Sequence, residues 1–167
     1  MLKKITTSYT LALIGLIVFL GSCKKDYESI ETGDDVKIQA YIQKNNLTAT
    51  KDSSGFYYQV VSQGTGAEKF KNTDSVLYHV EIKSLLKGTS YFSDPSRGNL
   101  GTRVGYANDL NGYNIPAIRT AMLQLTPGGQ ARILLPSYLA FGRNGFESIN
   151  VPSNEIIDLV ITTMPEK

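Results

Sequence analysis

The sequence contains no tryptophan, and only one cysteine and one histidine among its 167 residues. A single cysteine excludes an intramolecular disulfide framework and any zinc site made from several cysteines. A single histidine excludes a histidine-rich metal centre, so we expect no metal site. Glycine and proline occupy only 15 and 6 positions, and 41% of the residues are hydrophobic. The composition is therefore that of a folded domain of ordinary size and not that of a low-complexity chain.

The sequence also lacks an apolar run long enough to cross a bilayer, which takes about 20 residues. Its longest run covers residues 11–20, after two lysines near the N-terminus and before two small residues. This is the layout of a secretory signal peptide. The four residues Leu20-Gly21-Ser22-Cys23 resemble the lipobox of bacterial lipoproteins, whose cysteine becomes the acylated first residue. We therefore predict a signal peptide over residues 1–22, lipidation at Cys23 and a membrane contact through the lipid.

No excess of charge remains once the predicted signal peptide is removed. Residues 1–22 carry two of the 17 basic residues and no acid, which leaves 15 basic and 15 acidic groups. A neutral chain without a basic cluster lacks the electrostatic footprint of a nucleic-acid binder. Lys24 follows the predicted acylated cysteine, and this resembles lipoproteins sorted to the outer membrane of Gram-negative bacteria. The expected location is thus the cell envelope, outside the cytoplasm.

The pattern beyond Cys23 indicates a tether followed by one helix. Residues 23–33 are mostly polar and aperiodic, which is typical of a flexible spacer. Residues 34–50 are predicted to form a helix and a linker, with apolar side chains at helical spacing. Asp34 or Asp35 is expected to cap the start of that helix, and Asn45-Asn46 to end it.

Residues 51–167 are predicted to form a β-rich domain of the α+β class. Strands are indicated by alternation or β-branched runs, and one short helix with Asn114 as a possible cap interrupts them. We expect an antiparallel sheet wrapped around that short helix. The predicted elements are strands over 56–61, 75–86, 131–135 and 156–163, a helix over 115–125, loops with at most one short strand over 93–112, and a long loop over 136–152.

Several motifs of this domain resemble the signature of FKBP-type peptidyl-prolyl isomerases. Asn114–Ile118, Thr126–Ser137 and Leu139–Gly142 match its helix start, its Gly-Gly turn with the following strand, and its Ala-Tyr-Gly loop. The likeness extends to Gly55–Tyr58 and Leu85–Thr89, and then to the final loop at Val151–Asn154. It covers roughly residues 55–164, and the order and spacing of the motifs make it specific.

The resemblance implies catalysis of rotation about X-Pro bonds in polypeptide clients, here exported proteins. The barrier to that rotation is about 18–20 kcal/mol because the amide C–N bond has partial double-bond character. An apolar pocket that removes water from the prolyl amide, with donors that hold the flanking carbonyls, lowers the barrier. This chemistry needs no cofactor and no metal.

The family's pocket residues carry over with substitutions that imply reduced activity. Ile118 stands where the family has its tryptophan, and Phe141 where it has a donor tyrosine. The family's other pocket tyrosine matches Tyr78, Val80 or Glu81, because this strand is one residue longer than usual. The predicted catalytic residues are Tyr78, Asp94 and Phe141, and the predicted substrate-binding residues are Tyr91, Phe92, Ile115, Ile118, Val151 and Leu159.

The Phe-Asp pair of the family has two possible matches, Tyr91-Phe92 or Phe92 with Asp94. Each pocket position also has a packing interpretation, since a pocket wall and a core edge use the same residue types. A catalytically weak or inactive module of the same fold, binding clients or acting as a chaperone in an envelope complex, is the alternative function. The sequence predicts no oligomeric state.

Overall fold

The computed structural model describes residues 29–93, 102–103, 109–110 and 113–165. Contacts divide the chain into two units, residues 1–33 and 34–167. Of the first unit, the described part is the helical stretch 29–33. The predicted signal peptide, Cys23 and Asp94 lie outside the described residues. Within the described part of the chain, no helix is both long and apolar enough to span a membrane.

The described elements are α1 (29–44), β1 (Thr50–Lys51), β2 (Tyr57–Ser62), β3 (Ser75–Val76), β4 (Tyr78–Ser84), β5 (Ser90–Ser93), β6 (Thr102–Arg103), β7 (Asp109–Leu110), β8 (Tyr113–Asn114), α2 (Pro116–Met122), β9 (Gln130–Leu135) and β10 (Ile157–Thr163). The second unit is built on a six-stranded antiparallel sheet with the strand order β1-β2-β9-β10-β4-β5. Two additional pairs of short strands, β3 with β6 and β7 with β8, accompany it. The predicted α+β class, the antiparallel sheet and the additional N-terminal helix are confirmed.

The inner face of the sheet packs against α2. Strand β4 alternates as its sequence predicts, so that Tyr78, Val80 and Ile82 are buried while Glu81 and Lys83 are half-exposed. Period-two alternation assigns successive side chains to opposite faces. Strands β9 and β10 add their own apolar side chains to the same face. The helix contributes four buried side chains, Ala117, Ile118, Ala121 and Met122.

The outer face of the sheet packs against α1. Ile38 of α1 is fully buried in a second apolar cluster together with Tyr57 and Leu134 of the sheet. Beside it, the Nε and Nη2 atoms of Arg132 donate to the two carboxylate oxygens of Asp158 at 2.8 and 2.7 Å. These hydrogen bonds hold the pKa of the Arg132 guanidinium above its ordinary value. The same Nη2 donates to Tyr41 Oη of α1 at 3.0 Å, so a polar link joins helix and sheet.

Asp35 of α1 makes a further polar link to the sheet. Its Oδ1 accepts hydrogen bonds from Tyr57 Oη at 2.7 Å and Lys51 Nζ at 2.6 Å, and its Oδ2 accepts one from Gln39 at 2.8 Å. Burial raises the pKa of this carboxyl, but the three hydrogen bonds outweigh burial and keep the pKa below its usual value. A carboxyl with a lowered pKa stabilises the folded state at neutral pH, and that contribution is lost as the pH falls through its pKa.

Several predicted element bounds were wrong. The strand predicted over 75–86 is divided at Leu77 into β3 and β4, which belong to different sheets, and the helix predicted over 115–125 ends at Met122. Helix α1 covers 29–44, so residues 29–33 of the predicted tether are helical, and Asp34 and Asp35 lie within the helix instead of capping it. The predicted end is right, because residues 45–46 form a turn and Asn46 has a φ of 51°. Ile115, and not Asn114, is the residue before α2, with Pro116 in the first turn as expected. The stretch 93–112 contains two short strands, β6 and β7, where at most one was predicted.

Glycines permit a close crossing between the loop after β2 and the loop before β9. The amide of Thr65 donates to the carbonyl of Pro127 at 2.9 Å, and that of Thr126 donates to the carbonyl of Gln63 at 3.0 Å. Gly64 has a φ of 95°, and a Cβ there would lie 2.4 Å from the carbonyl oxygen of Pro127. Only glycine fits a backbone that is both left-handed and in such close contact.

We therefore expect Gly64→Ala to lower the free energy of unfolding by more than about 2 kcal/mol, as strain and overlap combine. Gly88→Ala is the matched control, because Gly88 has a φ of 70° with open space at its Cβ position. The control should lose only about 1 kcal/mol, the cost of a left-handed alanine. Urea unfolding of the two variants measures both losses, and equal losses would contradict the role given to the contact with Pro127.

Candidate functional site

Most of the predicted pocket residues lie in one apolar cluster on the inner face of the sheet. Six of them are buried there, and two more, both on β5, are half-buried against it. The remaining one, Asp94, lies outside the described residues. The buried members are Tyr78, Ile115, Ile118, Phe141, Val151 and Leu159, and the half-buried members are Tyr91 and Phe92.

Strand register brings two of these residues into one row across the sheet. Leu159 of β10 pairs with Ile82 of β4, and Ile82 pairs with Phe92 of β5. On the other side Leu159 pairs with Ile133 of β9, which pairs with Tyr58 of β2. Directly paired residues project from the same face of a sheet. Phe92 is therefore the half-exposed end of an apolar row whose centre, Leu159, is fully buried.

The register also gives the two adjacent aromatic residues of β5 different environments. Glu81 pairs with Ser93 and Ile82 with Phe92, but Lys83 pairs with Ser90, so Tyr91 is the extra residue of a β-bulge. A bulge leaves one residue outside the regular pairing and redirects its side chain. Phe92 thus holds the position on the apolar row, and the match of Phe92 with Asp94 stays a prediction.

Tyr91 lies beside a polar cluster formed by Glu155, Lys87 and Ser84. Burial raises the pKa of the Tyr91 hydroxyl, and the nearby carboxylate of Glu155 raises it further. That carboxylate is 8% exposed and accepts hydrogen bonds from Ser84 Oγ and, at 2.7 Å, from Lys87 Nζ. The cluster joins the β4–β5 hairpin to the segment before β10. The surroundings of Tyr91 are thus more polar than expected for a residue of an apolar substrate pocket.

The start of α2 contributes Ile115 and Ile118. The amide of Ile118 donates to the carbonyl of Ile115 at 3.1 Å, and Pro116 has the first helical position, where its missing amide proton costs nothing. Both isoleucine side chains have an exposed fraction of 0%. Ile118 is therefore fully enclosed by other residues.

Phe141 and Val151 lie at the two ends of one tightly closed loop. The ring of Phe141 stacks on that of Phe146, with centroids 5.2 Å apart and an interplanar angle of 28°. Phe146 and Val151 exchange backbone hydrogen bonds of 2.8 and 3.0 Å. Gly145 has a φ of 64°, and a Cβ there would lie within 2.3 Å of the carbonyl oxygen of Val151. Phe146 thus contacts both predicted pocket residues.

Of the three candidates for the second pocket tyrosine, two face the core. Tyr78 and Val80 have exposed fractions of 2% and 1%, while Glu81 is half-exposed on the outer face and forms an ion pair with Lys83 at 2.8 Å. This placement disfavours Glu81. The catalytic role of Tyr78 stays a prediction, and its burial fits the packing interpretation equally well.

Sequence reasoning missed Phe146 and the Glu155 cluster. Phe146 follows Gly145, and an apolar residue after a glycine inside a predicted loop was a usable signal for a loop that folds back on itself. Nothing in the sequence linked Glu155 to Ser84 and Lys87, which lie about 70 positions earlier in the chain.

Other features of the described residues do not add to this site. A groove of about 750 Å³ lies elsewhere on the domain, and its lining includes Phe70, Leu77 and Met164 but none of the predicted pocket residues. Among the described residues, no group of three or more histidine, cysteine, aspartate or glutamate side chains is suited to hold a metal ion.

Comparisons with known proteins agree on one kind of domain. FkpA of Aeromonas hydrophila, an FKBP-type peptidyl-prolyl cis-trans isomerase, is 33% identical over 141 residues, 83% of this chain and 48% of that protein. The mouse peptidyl-prolyl cis-trans isomerase FKBP10 is 31% identical over 91 residues, 54% of this chain and 15% of that protein. The chain thus spans about half the length, or less, of these curated relatives.

The crystal structure of FkpA from Escherichia coli has the same fold, with a TM-score of 0.60 at 22% identity. The alignment covers 82% of this chain and 61% of that chain. No protein-family model matches the sequence. The structural comparison therefore confirms the fold that the sequence motifs indicated.

The ring stack predicts that Phe146 stabilises the loop through Phe141. Phe146→Leu should lower the free energy of unfolding by about 1–3 kcal/mol, from lost stacking and a small cavity. In a Phe141→Leu background the same change should cost less, because the stacking partner is already absent. Thermal unfolding of the two single variants and the double variant measures this coupling, and strictly additive losses would contradict it.

Proposed function

We propose that the chain is a member of the FKBP-type peptidyl-prolyl isomerase family, and that its sheet domain catalyses cis–trans isomerisation of X-Pro bonds in exported polypeptides. The observation that supports this proposal best is the single apolar cluster containing Ile115, Ile118, Phe141, Val151 and Leu159. These positions come from four separate parts of the sequence. Their convergence on one face of the sheet is what a prolyl pocket requires.

The proposed mechanism rests on removal of water. The planar amide is stabilised by charge separation, and an apolar wall disfavours that charge-separated form relative to the twisted transition state. Phe92, Phe141 and Val151 would provide this wall at the edge of the cluster, where the side chains are half-buried or only 4% exposed. No nucleophile, proton transfer or metal is required, since no covalent bond of the client forms or breaks.

We propose that the activity is weaker than is usual in the family. Phe141 has no hydroxyl to donate to a client carbonyl, and an ordinary hydrogen bond contributes about 0.5–1.5 kcal/mol. The chain has no tryptophan at all, so no alignment restores the one that Ile118 replaces. Desolvation by the remaining apolar wall still acts, and weak catalysis follows.

The same two substitutions favour a second candidate, a module that binds or chaperones polypeptides without catalysing isomerisation. Ile118 is fully buried and Phe141 is 4% exposed, so both also fit a packing role. The two functions share a fold and differ only in what the pocket does to a bound proline.

The lipid anchor is part of the proposal as well. Cys23 is the only cysteine of the chain and lies at a lipobox-like position, which supports its acylation. Lys24 after it supports a location in the outer membrane of a Gram-negative bacterium. Clients would then be proline-containing polypeptides in the cell envelope, and no nucleic acid would bind.

Refolding of a protein whose rate is limited by X-Pro isomerisation tests the catalytic proposal. The chain should accelerate refolding, and Phe141→Tyr with Ile118→Trp should raise kcat/KM by about tenfold if the pair recovers near 1.4 kcal/mol. Tryptophan in a filled core position can cost about 1–3 kcal/mol of stability, so unfolding is measured alongside. Phe141→Tyr alone is the milder variant and should give part of the gain.

No acceleration by the wild-type chain would overturn the catalytic proposal. A folded double variant with no gain in rate would contradict the pocket roles given to Ile118 and Phe141, place both in the core and favour the binding module. If the wild-type chain is inactive but suppresses aggregation of an unfolded polypeptide, the binding module is the correct function.

Cys23→Ser tests the anchor separately from catalysis. We expect the variant to remain unacylated and to appear in the soluble envelope fraction, because serine offers no thiol for the lipid. Fractionation and metabolic labelling with a fatty acid measure both effects. Full membrane retention of the variant would contradict the proposed anchor.

A further inference from the structure

Helix α1 is joined to the loop of the candidate site by a buried carboxylate. Asp34 Oδ2 accepts a hydrogen bond from the Ser137 amide at 2.9 Å and another from Ser137 Oγ at 2.6 Å. Asp34 is 4% exposed and Ser137 is 0% exposed. The other oxygen, Oδ1, lies 3.7 Å from Lys37 Nζ of the same helix. Hydrogen bonds to a buried carboxylate are stronger than neutral ones, so this link is among the firmest between α1 and the rest of the unit.

Ser137 needs this acceptor because of its position. It begins the short 3-10 helix Ser137–Leu139, and the amides at the start of a helix have no partner within it. The preceding residue, Pro136, has no side-chain oxygen with which to cap that start. Asp34, 103 positions earlier in the chain, supplies the cap from α1.

The capped segment leads directly into the site loop. The amide of Ala140 donates to the carbonyl of Ser137 at 3.1 Å, and Phe141 follows as the first residue of the closed loop. From there the ring stack with Phe146 and the Phe146–Val151 bridge connect Phe141 to the second wall residue. The bonds to Ser137 are thus the first in a continuous series of contacts that leads to Phe141 and Val151.

We propose that Asp34 is a positioning residue for the isomerase site, and that through Ser137 it holds the loop carrying Phe141 and Val151 in the geometry that receives a prolyl peptide. This inference rests on the proposed function. It gives α1 a role in activity and not only in stability. Asp34 does not contact the client in this proposal.

Asp35 provides a matched control on the same helix. It is the neighbouring acid, and it also accepts several hydrogen bonds, of which those from outside α1 come from Lys51 on β1 and Tyr57 on β2. Loss of either carboxylate weakens the attachment of α1 to the rest of the unit. Only loss of Asp34 removes the cap of the segment that precedes Phe141.

The experiment compares Asp34→Ala, Ser137→Ala and Asp35→Ala in kcat and KM for an X-Pro peptide, at a temperature where unfolding curves indicate that all are folded. Asp34→Ala should lower kcat/KM about tenfold, mainly through KM, because the apolar wall contacts the peptide before and during rotation. Ser137→Ala keeps the hydrogen bond from the backbone amide of residue 137 to Asp34. It should therefore lower kcat/KM about threefold, which is roughly half the effect of Asp34→Ala in free energy. Asp35→Ala should change kcat/KM less than about twofold.

A second measurement does not depend on activity. Amide chemical shifts of Phe141, Gly142 and Val151 in the free protein should move in Asp34→Ala and stay near their wild-type values in Asp35→Ala. If the wild-type chain has no isomerase activity, the proposed function fails, and these shifts still decide whether Asp34 positions the loop.

Two results would overturn the inference. One is an unchanged kcat/KM in folded Asp34→Ala, together with unmoved loop shifts. The other is an equal effect of Asp34→Ala and Asp35→Ala, which would reduce both carboxylates to attachment of α1. Asp34→Asn removes the negative charge but keeps an oxygen that can accept the hydrogen bond from the Ser137 amide. The kcat/KM of this variant should therefore lie between those of Asp34→Ala and the wild-type chain.

Discussion

The packing of α2 on the inner face of the sheet is the constraint on which the rest of the domain depends. Ala117, Ile118, Ala121 and Met122 are all at most 2% exposed, and they cover the larger of the two apolar clusters that pack on the sheet. Each large apolar side chain buried in this way contributes about 1.5–3 kcal/mol. The candidate site is the edge of this interface, where the row Leu159, Ile82 and Phe92 reaches half-exposed residues. Site and core are therefore one cluster, and a pocket substitution also acts on stability.

The long loop after β9 is shaped mainly by backbone constraints. Gly142 and Gly145 have φ values of 58° and 64°, and the amide of Asn154 donates to the carbonyl of Gly142 at 2.8 Å. Together with the Phe146–Val151 bridge, these contacts close a loop whose only regular structure is three short 3-10 helices, Ser137–Leu139, Gly142–Asn144 and Glu147–Ile149. A closed loop of this kind restricts the orientation of a side chain such as Phe141.

Polar links on the outer face give α1 three separate attachments, through Asp34, Asp35 and Tyr41. The helix therefore does more than cover apolar surface. Its links reach β2, β9 and the start of the site loop, and so it connects the outer face of the sheet with the segment that precedes Phe141. Tyr91 and the Glu155 cluster make a comparable connection at the β4–β5 hairpin.

Local patterns in the sequence determined the α+β class, the inward face of β4, the end of α1 at Asn45-Asn46 and the order of the motifs. They could do so because period-two alternation and turn residues act over a few positions.

Contacts between residues that are distant in sequence were decided only by the tertiary structure. The bulge at Tyr91 depends on how β5 registers against β4, and no local signal encodes a register shift. Asp34 resembled a helix cap from its neighbours alone, yet it caps a different helix 103 positions away. A carboxylate can accept from any donor that the fold brings near, and only the packed chain decides which donor that is.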